Sequence, residues 1–534
     1  MTMNNAEHSD LQARLIAALR DPGCYPHPVD QMEVLETHIS WVLLTGRYAY
    51  KIKKPVNLGF LDFSTLAQRG FCCREELRLN RRLAPRLYLD VVGITGSPEH
   101  PRVGGDGEVI EYAVKMLQFG QDQLASRLLR SGNLTARHIE QLAGTIATFH
   151  QQAAAAEDGS RFGSPATLRA QVQQNFDQIA ALPGAGSGRT MLGDLRDWSE
   201  RELSAGEGRF GARQAAGRVR EGHGDLHLGN IALIDGEITP FDCIEFSTDL
   251  RWNDVASETA FLVMDLFDRG RRDFAFLFLS TYLELTGDYD AVTVLRFYLV
   301  YRAMVRAKVH CLRAHQAHID GTERARLIDA FREYLELAAG FTRPSRPSLI
   351  AMHGLSGSGK TVVSHALVQA AGALRIRSDV ERKRLHDMTM LERPAGGVAA
   401  GIYAEEATKR VYQQLAQLAR KIIAAGYSVI LDAALLRRWQ RDLVRDLARE
   451  LAVPFVIASL QAPESVLQAR ILRRSGEGTD ASDADLAVLA HQLATEDTIA
   501  EDERAGTITL DAALPPAALA ATAGWRALLE RMSP

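Results

Sequence analysis

Gly354-Leu355-Ser356-Gly357-Ser358-Gly359-Lys360-Thr361 fits the pattern G-x-x-x-x-G-K-[ST], a loop that cradles phosphate. Leu349-Ile350-Ala351-Met352 leads into it as an apolar strand, and an apolar-periodic helix follows. The glycines let the backbone curl so that successive N–H groups face an anion, and the helix offers that anion its positive end. Lys360 is placed to reach terminal phosphates, and the Thr361 hydroxyl to bind magnesium. A Gly/Ser-rich linker would need neither the leading strand nor Lys-Thr in register.

Downstream, apolar runs at 349–352, 374–377, 429–431, 455–460 and 507–510 alternate with helical patterns. That alternation predicts βαβ units and a parallel sheet. The second strand ends in Arg377-Ser378-Asp379, followed by Val380-Glu381-Arg382. A carboxylate at a strand's carboxyl end faces the crevice where α/β sheets bind ligands. Asp379 is thus a candidate general base for an acceptor hydroxyl, and Arg382 a clamp for an anionic part of that acceptor. The competing reading is a helix-capping Asp beside a solvated Arg. Val429-Ile430-Leu431-Asp432 ends in a carboxylate suited to magnesium, directly or through water. Arg470 and Arg474 share a helix face, with Arg473 beside them. The Gly/Asp/Ser-rich run 475–483 that follows suggests a mobile lid whose arginines close on a transferred phosphoryl group.

Upstream, Thr342-Arg343-Pro344-Ser345-Arg346-Pro347-Ser348 reads as a linker. We therefore expect one domain over 1–341 and a second over 349–534. Residues of about 30–118 form a β-rich lobe with one helix at 69–83. Runs at 40–44 and 48–52 flank Thr45-Gly46-Arg47 as a hairpin, and a strand is expected at 109–116. A short helix precedes this lobe at 11–20. From 119 to 341 the apolar spacing is mostly helical, with helices at 139–152, 168–181, 254–267, 272–285 and 292–315.

Within that region stands His223-Gly224-Asp225-Leu226-His227-Leu228-Gly229-Asn230. Asp and Asn five apart match the kinase catalytic loop, where Asp takes the hydroxyl proton and Asn binds metal. Asp242, in Pro240-Phe241-Asp242, stands where a second metal-binding Asp belongs. A zinc site is the rival reading, but His223 and His227 lack further His or Cys ligands nearby. Ala49 and Lys51 alternate onto one strand face, as does a lysine presented to phosphates; Lys53 lies on the same face and is the alternative. Glu75 or Glu76 should pair with that lysine, and the spacing of Glu76 to Leu83 favours Glu76.

The segment 347–512 resembles the small P-loop kinases, among them the kinase half of phage polynucleotide kinase, the gluconate kinases and, more loosely, zeta toxins. The resemblance implies that Asp379 is the general base and Arg382 the acceptor clamp. Residues 30–340 resemble the aminoglycoside phosphotransferases, a branch of the protein-kinase-like fold, through 223–230, Asp242 and Trp252-Asn253-Asp254-Val255-Ala256. That likeness implies that Asp254 braces the catalytic loop and that adenine lies against the backbone near Lys115-Met116-Leu117. The order of the two domains is similar to bacterial proteins described as bifunctional aminoglycoside phosphotransferase/ATP-binding proteins. Tyr50-Lys51-Ile52-Lys53-Lys54-Pro55-Val56 and Gly59-Phe60-Leu61-Asp62 strengthen this match. The loop 37–40 carries no glycine, and the substrate pocket of antibiotic kinases cannot be traced in the sequence, which weakens an aminoglycoside acceptor.

The expected fold class is therefore an α+β protein-kinase-like two-lobed domain followed by an α/β P-loop NTPase domain with a parallel sheet. The expected cofactors are ATP and Mg2+, and the expected partner is a small-molecule hydroxyl acceptor. The alternatives are a regulatory ATP-binding module in one domain, or a 5′-hydroxyl nucleic acid end as the acceptor of the second.

The 534 residues are too many for one ordinary domain. Hydrophobic content of 46% and charged content of 24% suit a globular chain. A formal charge of −4 argues against bulk nucleic-acid binding. Five scattered cysteines with no C-x-x-C pair suggest neither disulfide framework nor zinc site, and fit a reducing cytoplasm. No apolar signal core or membrane-length run occurs, so a cytoplasmic protein that does not span a membrane is expected.

Overall fold

The computed structural model describes residues 5–37, 39–57, 61–182, 188–316, 319–393, 401–477, 483–519 and 525–532, with 5–9, 474–477 and 516–517 by backbone alone. The chain forms two compact units: Met1–Asp177 with Glu200–Asp265, and Gln178–Ser199 with Leu266–Pro534. Among the described residues no helix is long and apolar enough to cross a membrane.

The first unit is built on a six-stranded antiparallel sheet. Its strands are β1 (Glu33–Glu36), β2 (Ser40–Leu44), β3 (Tyr48–Lys53), β4 (Tyr88–Ser97), β5 (His100–Val103) and β6 (Val109–Leu117), in the order β1-β2-β3-β6-β4-β5. The hairpin expected at 40–52 forms, with Val42 opposite Lys51. β4 and β5 are additions to the sequence-based expectation. Both faces of the sheet are covered, so alternate residues of β3 enter different clusters: Tyr50 and Ile52 on one side, Ala49 on the other. Lys51 and Lys53 share the Ala49 face.

The helix Leu66–Asn80 crosses that face. It starts three residues earlier than the spacing suggests because Thr65 and Gln68 form a capping box, worth about 1 kcal/mol. After the helices Ala136–Gln152 and Pro165–Ala180 come β7 (Val219–Glu221), the hairpin β8 (Ile231–Ile234) and β9 (Glu237–Pro240), and β10 (Trp252–Asp254). The helix Arg189–Ala215, absent from the sequence-based expectation, spans both units.

The second unit holds a five-stranded parallel sheet. Its strands are β11 (Leu349–His353), β12 (Ala373–Arg377), β13 (Ser428–Asp432), β14 (Phe455–Gln461) and β15 (Thr507–Asp511), in the order β12-β13-β11-β14-β15. All five expected strands are present. β11 and β12 are buried along their whole length, as strands covered on both faces must be. β11 lies between β13 and β14, so the order reverses there and opens the crevice at its carboxyl end. The helices Arg272–Thr286, Val292–Ala314 and Gly321–Thr342 belong to this unit. The first of these lies against edge strand β12, where the Ser280 hydroxyl accepts the Arg375 backbone N–H at 3.1 Å.

Candidate functional site

In the second unit the loop after β11 bends through positive φ at Gly354 (145°), Gly357 (82°) and Gly359 (90°). Space forbids a side chain as firmly as the torsions do. A Cβ on Gly354 would stand 2.7 Å from the Leu460 carbonyl oxygen, and one on Gly357 2.7 Å from that of Leu467. Gly359 caps the helix Lys360–Ala371. The Lys360 ammonium folds back to donate to the Gly354 and Leu355 carbonyls at 2.7 and 2.9 Å. The Ser358 hydroxyl is buried with no hydrogen-bond partner among the described residues. A narrow loop of glycines, a cation and an unsatisfied buried hydroxyl is a cradle that fits a phosphate group.

A cavity of about 420 Å³ opens over this loop. Lys360, Thr361, Asp379, Arg382, Asp432 and Arg470 all line it. Asp379 opens the short helix Ser378–Arg384 directly after β12, and Asp432 ends β13, opposite Arg377 in register. The Asp432 carboxylate accepts the Ser364 hydroxyl at 2.8 Å and lies 3.9 Å from the Arg377 guanidinium. Thr361 and Asp432 both line the cavity and supply hard oxygens, a donor set that fits magnesium. Arg382 is buried; it donates to the Ile402 carbonyl at 2.8 Å and to the Thr408 hydroxyl at 3.2 Å, and lies over the Tyr403 ring. Its Nε is buried without a partner among the described residues.

The lid arginines differ from expectation. Arg470 donates to the carbonyls of Ala512 and Leu514, at 2.8 and 2.7 Å, and to that of Gly357 at 3.4 Å, so it ties the chain after β15 to the phosphate loop. Its neighbour Arg473 is exposed and also lines the cavity. The Arg474 side chain and residues 478–482 lie outside the described residues. At the far rim, Asp483 accepts from the Tyr403 hydroxyl at 2.9 Å and pairs with Lys383 at 3.2 Å. Burial, reinforced by Asp379, pushes the Tyr403 phenol far up, which keeps it a donor. Arg377, Tyr403 and Asp483 escaped sequence reasoning. Only Arg377 left a signal there, as a charged residue inside an apolar strand two positions from Asp379.

In the first unit the hairpin β8–β9 sets the geometry. Ile231 pairs with Pro240, so Asn230 and Phe241 meet beyond the open end, joined by the Phe241 N–H to the Asn230 carbonyl at 2.9 Å. Asp242 follows with φ 66°, its N–H donating to the Tyr88 hydroxyl. The Asn230 amide donates to the Asp225 carboxylate at 2.9 Å. His223 receives the Asp225 N–H on Nδ1 and donates from Nε2 to the Phe241 carbonyl at 2.8 Å. Burial lowers the His223 pKa, which favours this neutral tautomer.

Lys51 pairs with Glu76 at 2.8 Å and also meets the Asp242 carboxylate. Burial works to lower the Lys51 pKa, but Asp242 and Glu76 outweigh it and hold the group well above its usual value. Lys53 does not compete for this role. It is fully buried between the second Glu76 oxygen, at 2.7 Å, and Glu245. Glu75 turns instead to Arg78 and Arg251. Asn230 and Asp242 offer an amide and a carboxylate oxygen across the hairpin mouth, a donor set that fits magnesium.

Asp254 has another task than the resemblance implies. It grips Arg213 with two bonds of 2.7 and 2.8 Å. The catalytic-loop backbone is held instead by Glu258, which accepts the His223 N–H at 2.9 Å, and by Asp265, which accepts the Leu228 N–H at 2.9 Å. Register explains the exchange: Asp254 pairs across β10–β7 with Val219, short of the loop, while Glu258 sits one helical turn farther on.

Fold and sites define a chain that joins an antiparallel-sheet kinase-like unit to a P-loop α/β unit. A family described as AAA domain (AAA_33) matches residues 349–498. An uncharacterized protein of Mycobacterium tuberculosis is 31% identical over 481 residues, covering 90% of this chain and 94% of its own. The chain belongs to the family of that mycobacterial protein. Among solved structures, a sugar kinase from Janibacter sp. HTCC2649 is 24% identical over 36% of this chain and 100% of its own, with TM-score 0.27. A spectinomycin phosphotransferase, APH(9)-Ia, is 13% identical over 62% of this chain and 98% of its own, with TM-score 0.37. Likenesses at these scores carry no weight for function.

Proposed function

We propose that this protein is an ATP-dependent phosphotransferase with two nucleotide sites, each delivering a γ-phosphoryl group to a hydroxyl. The observation that carries this reading is the single cavity that gathers Lys360, Thr361, Asp432, Asp379 and Arg382 over the glycine loop. Bound Mg·ATP supplies the transferable phosphoryl group and the charge neutralisation that its transfer needs. The loop N–H groups and Lys360 hold phosphate oxygens, while Thr361 and Asp432 hold the magnesium. Asp379 accepts the acceptor's hydroxyl proton as the new O–P bond forms and the bridging O–P bond breaks, the electron pair leaving with ADP. In the first unit Lys51, oriented by Glu76, positions phosphates, Asn230 and Asp242 would hold magnesium, and Asp225 is the base. Arg473 is the lid arginine nearest in role to the expected pair of Arg470 and Arg474.

The acceptor of the second site is a small hydroxylated molecule. The Tyr403–Asp483–Lys383 chain at the rim supports this over an oligonucleotide end, which needs an open groove. The protein works in the cytoplasm, in keeping with five free thiols.

The test is transfer of labelled phosphate from ATP to a panel of sugars, aminoglycosides, nucleosides and 5′-hydroxyl oligonucleotides, with Asp225→Asn and Asp379→Asn beside the wild type. Each variant should lose one activity by about 10³-fold or more, the scale of a missing base, while still binding nucleotide. Undiminished transfer in both would refute the assignment.

A further inference from the structure

Two arginines of β12, Arg375 and Arg377, fall on the same face of an edge strand, and both are nearly buried. They share one carboxylate that comes from far upstream. Glu284, near the end of the helix Arg272–Thr286, accepts from Arg375 at 3.0 Å through Oε2 and from Arg377 at 3.4 Å through Oε1. Its side chain is only 8% exposed. Arg375 depends on this contact, since its Nε and Nη1 are buried without partners among the described residues. Arg377 stands between two carboxylates. Glu284 is 3.4 Å from it, and Asp432 3.9 Å.

We propose that Glu284 is a positioning residue of the phosphate-loop site: it draws Arg377 away from Asp432 and so keeps that carboxylate available to magnesium. The inference rests on the reading of Asp432 as the metal-holding residue given above. Its physical basis is competition. A guanidinium and a divalent cation both seek the Asp432 carboxylate, and Arg377 lies directly opposite Asp432 in the β12–β13 register. With the Glu284 charge gone, two buried guanidinium groups lose their shared anion, and the pull of Arg377 on Asp432 grows. Glu284 precedes the 342–348 linker in sequence, so the phosphate-loop site draws on a residue outside the segment 349–498 that the AAA domain family matches.

The test uses the full chain in a Lys51→Met background, which quiets the first unit's nucleotide site. Binding of a fluorescent ATP analogue is titrated against magnesium. The component that disappears in Lys360→Ala belongs to the phosphate loop. Glu284→Gln should raise the magnesium concentration for half-maximal binding about ten-fold, the low end of what an added guanidinium contact does to a carboxylate. Glu284→Asp, which keeps the charge, should stay within about three-fold of the background, a shift of well under one pKa unit's worth. Adding Arg377→Gln to Glu284→Gln should restore the midpoint, a rescue that mere loss of packing would not give. Arg377→Gln alone should lower the midpoint, which tests the idea even where Glu284→Gln fails to fold. An unchanged midpoint in Glu284→Gln, or a shift that Arg377→Gln does not reverse, overturns the inference. Nucleotide binding that survives Lys360→Ala untouched would instead sink the reading of the phosphate loop, and the inference with it.

Discussion

Replacing Glu76 by Gln removes one fully buried carboxylate from the middle of a five-charge cluster. Lys51 and Lys53 each bond one of its oxygens, and Asp242 and Glu245 close the two ends. Burial alone would raise the Glu76 pKa, yet the two lysines bring it down to about 2 from a usual 4.5. That difference corresponds to about 3 kcal/mol of stabilisation. Breaking a buried pair by neutralising one partner costs about 3–5 kcal/mol, and the amide turns a donor toward an ammonium. For a unit of this size each kcal/mol moves the midpoint by about 2–4 °C, so Glu76→Gln should lower the first unit's thermal transition by roughly 6–20 °C. Differential scanning calorimetry at neutral pH, with Glu75→Gln as control, measures it. Glu75 faces Arg78 and Arg251 at a more open position and should cost less than about 1 kcal/mol. The sign with pH follows from a depressed carboxylate. The Glu76 contribution is whole above about 4.5 and is lost as pH falls toward about 2. Equal shifts for the two variants would refute this account of the cluster.

His353, just before the phosphate loop, is held by burial at a pKa of about 4, below its usual 6.5. The unfolded chain takes up that proton first, so the second unit should lose about 3 kcal/mol between pH 6.5 and 4. His353→Gln should flatten that slope in urea titrations, and an identical slope in both proteins would count against it. Gly357→Ala meets both a positive φ and the Leu467 carbonyl. It should weaken phosphate-loop nucleotide binding at least ten-fold, on the order of the left-handed penalty of 1–2 kcal/mol. Gly208→Ala, in open helical space, should instead stabilise by about 0.5–1 kcal/mol; wild-type affinity in Gly357→Ala would show that the loop tolerates a side chain.

Local chemistry made the most of the fold legible. A glycine loop after an apolar strand, and Asp and Asn at fixed spacing, are short-range signals, and the structure assembles both where their neighbours require. β4 and β5 were harder to read. Gly93 and Gly96 interrupt β4, and its pairing runs through two irregularities in register. The helix Arg189–Ala215 contains Gly193, Gly206, Gly208 and Gly211, which lower its intrinsic propensity and hide its period. Tertiary ion pairs were out of reach for a different reason. Nothing local tells whether Lys51 or Lys53 meets Glu76, and the structure answers that both do. Likewise only the folded chain reveals that Glu258, and not Asp254, carries the catalytic-loop backbone, or that Arg470 is spent on carbonyls.

The Ser280–Arg375 contact has a practical side. β12 is the rim of the parallel sheet, and an uncovered rim is a template on which other chains can add strands. The helix Arg272–Thr286 shields it, with Ser280 taking up one backbone N–H and Glu284 matching Arg375 and Arg377. A fragment begun at the proline-containing stretch 342–348 would discard that shield while keeping the whole nucleotide cradle. It would carry every motif of the phosphate loop and still be prone to aggregate. A cut that keeps this shield therefore lies ahead of Arg272, some way upstream of where the prolines invite it.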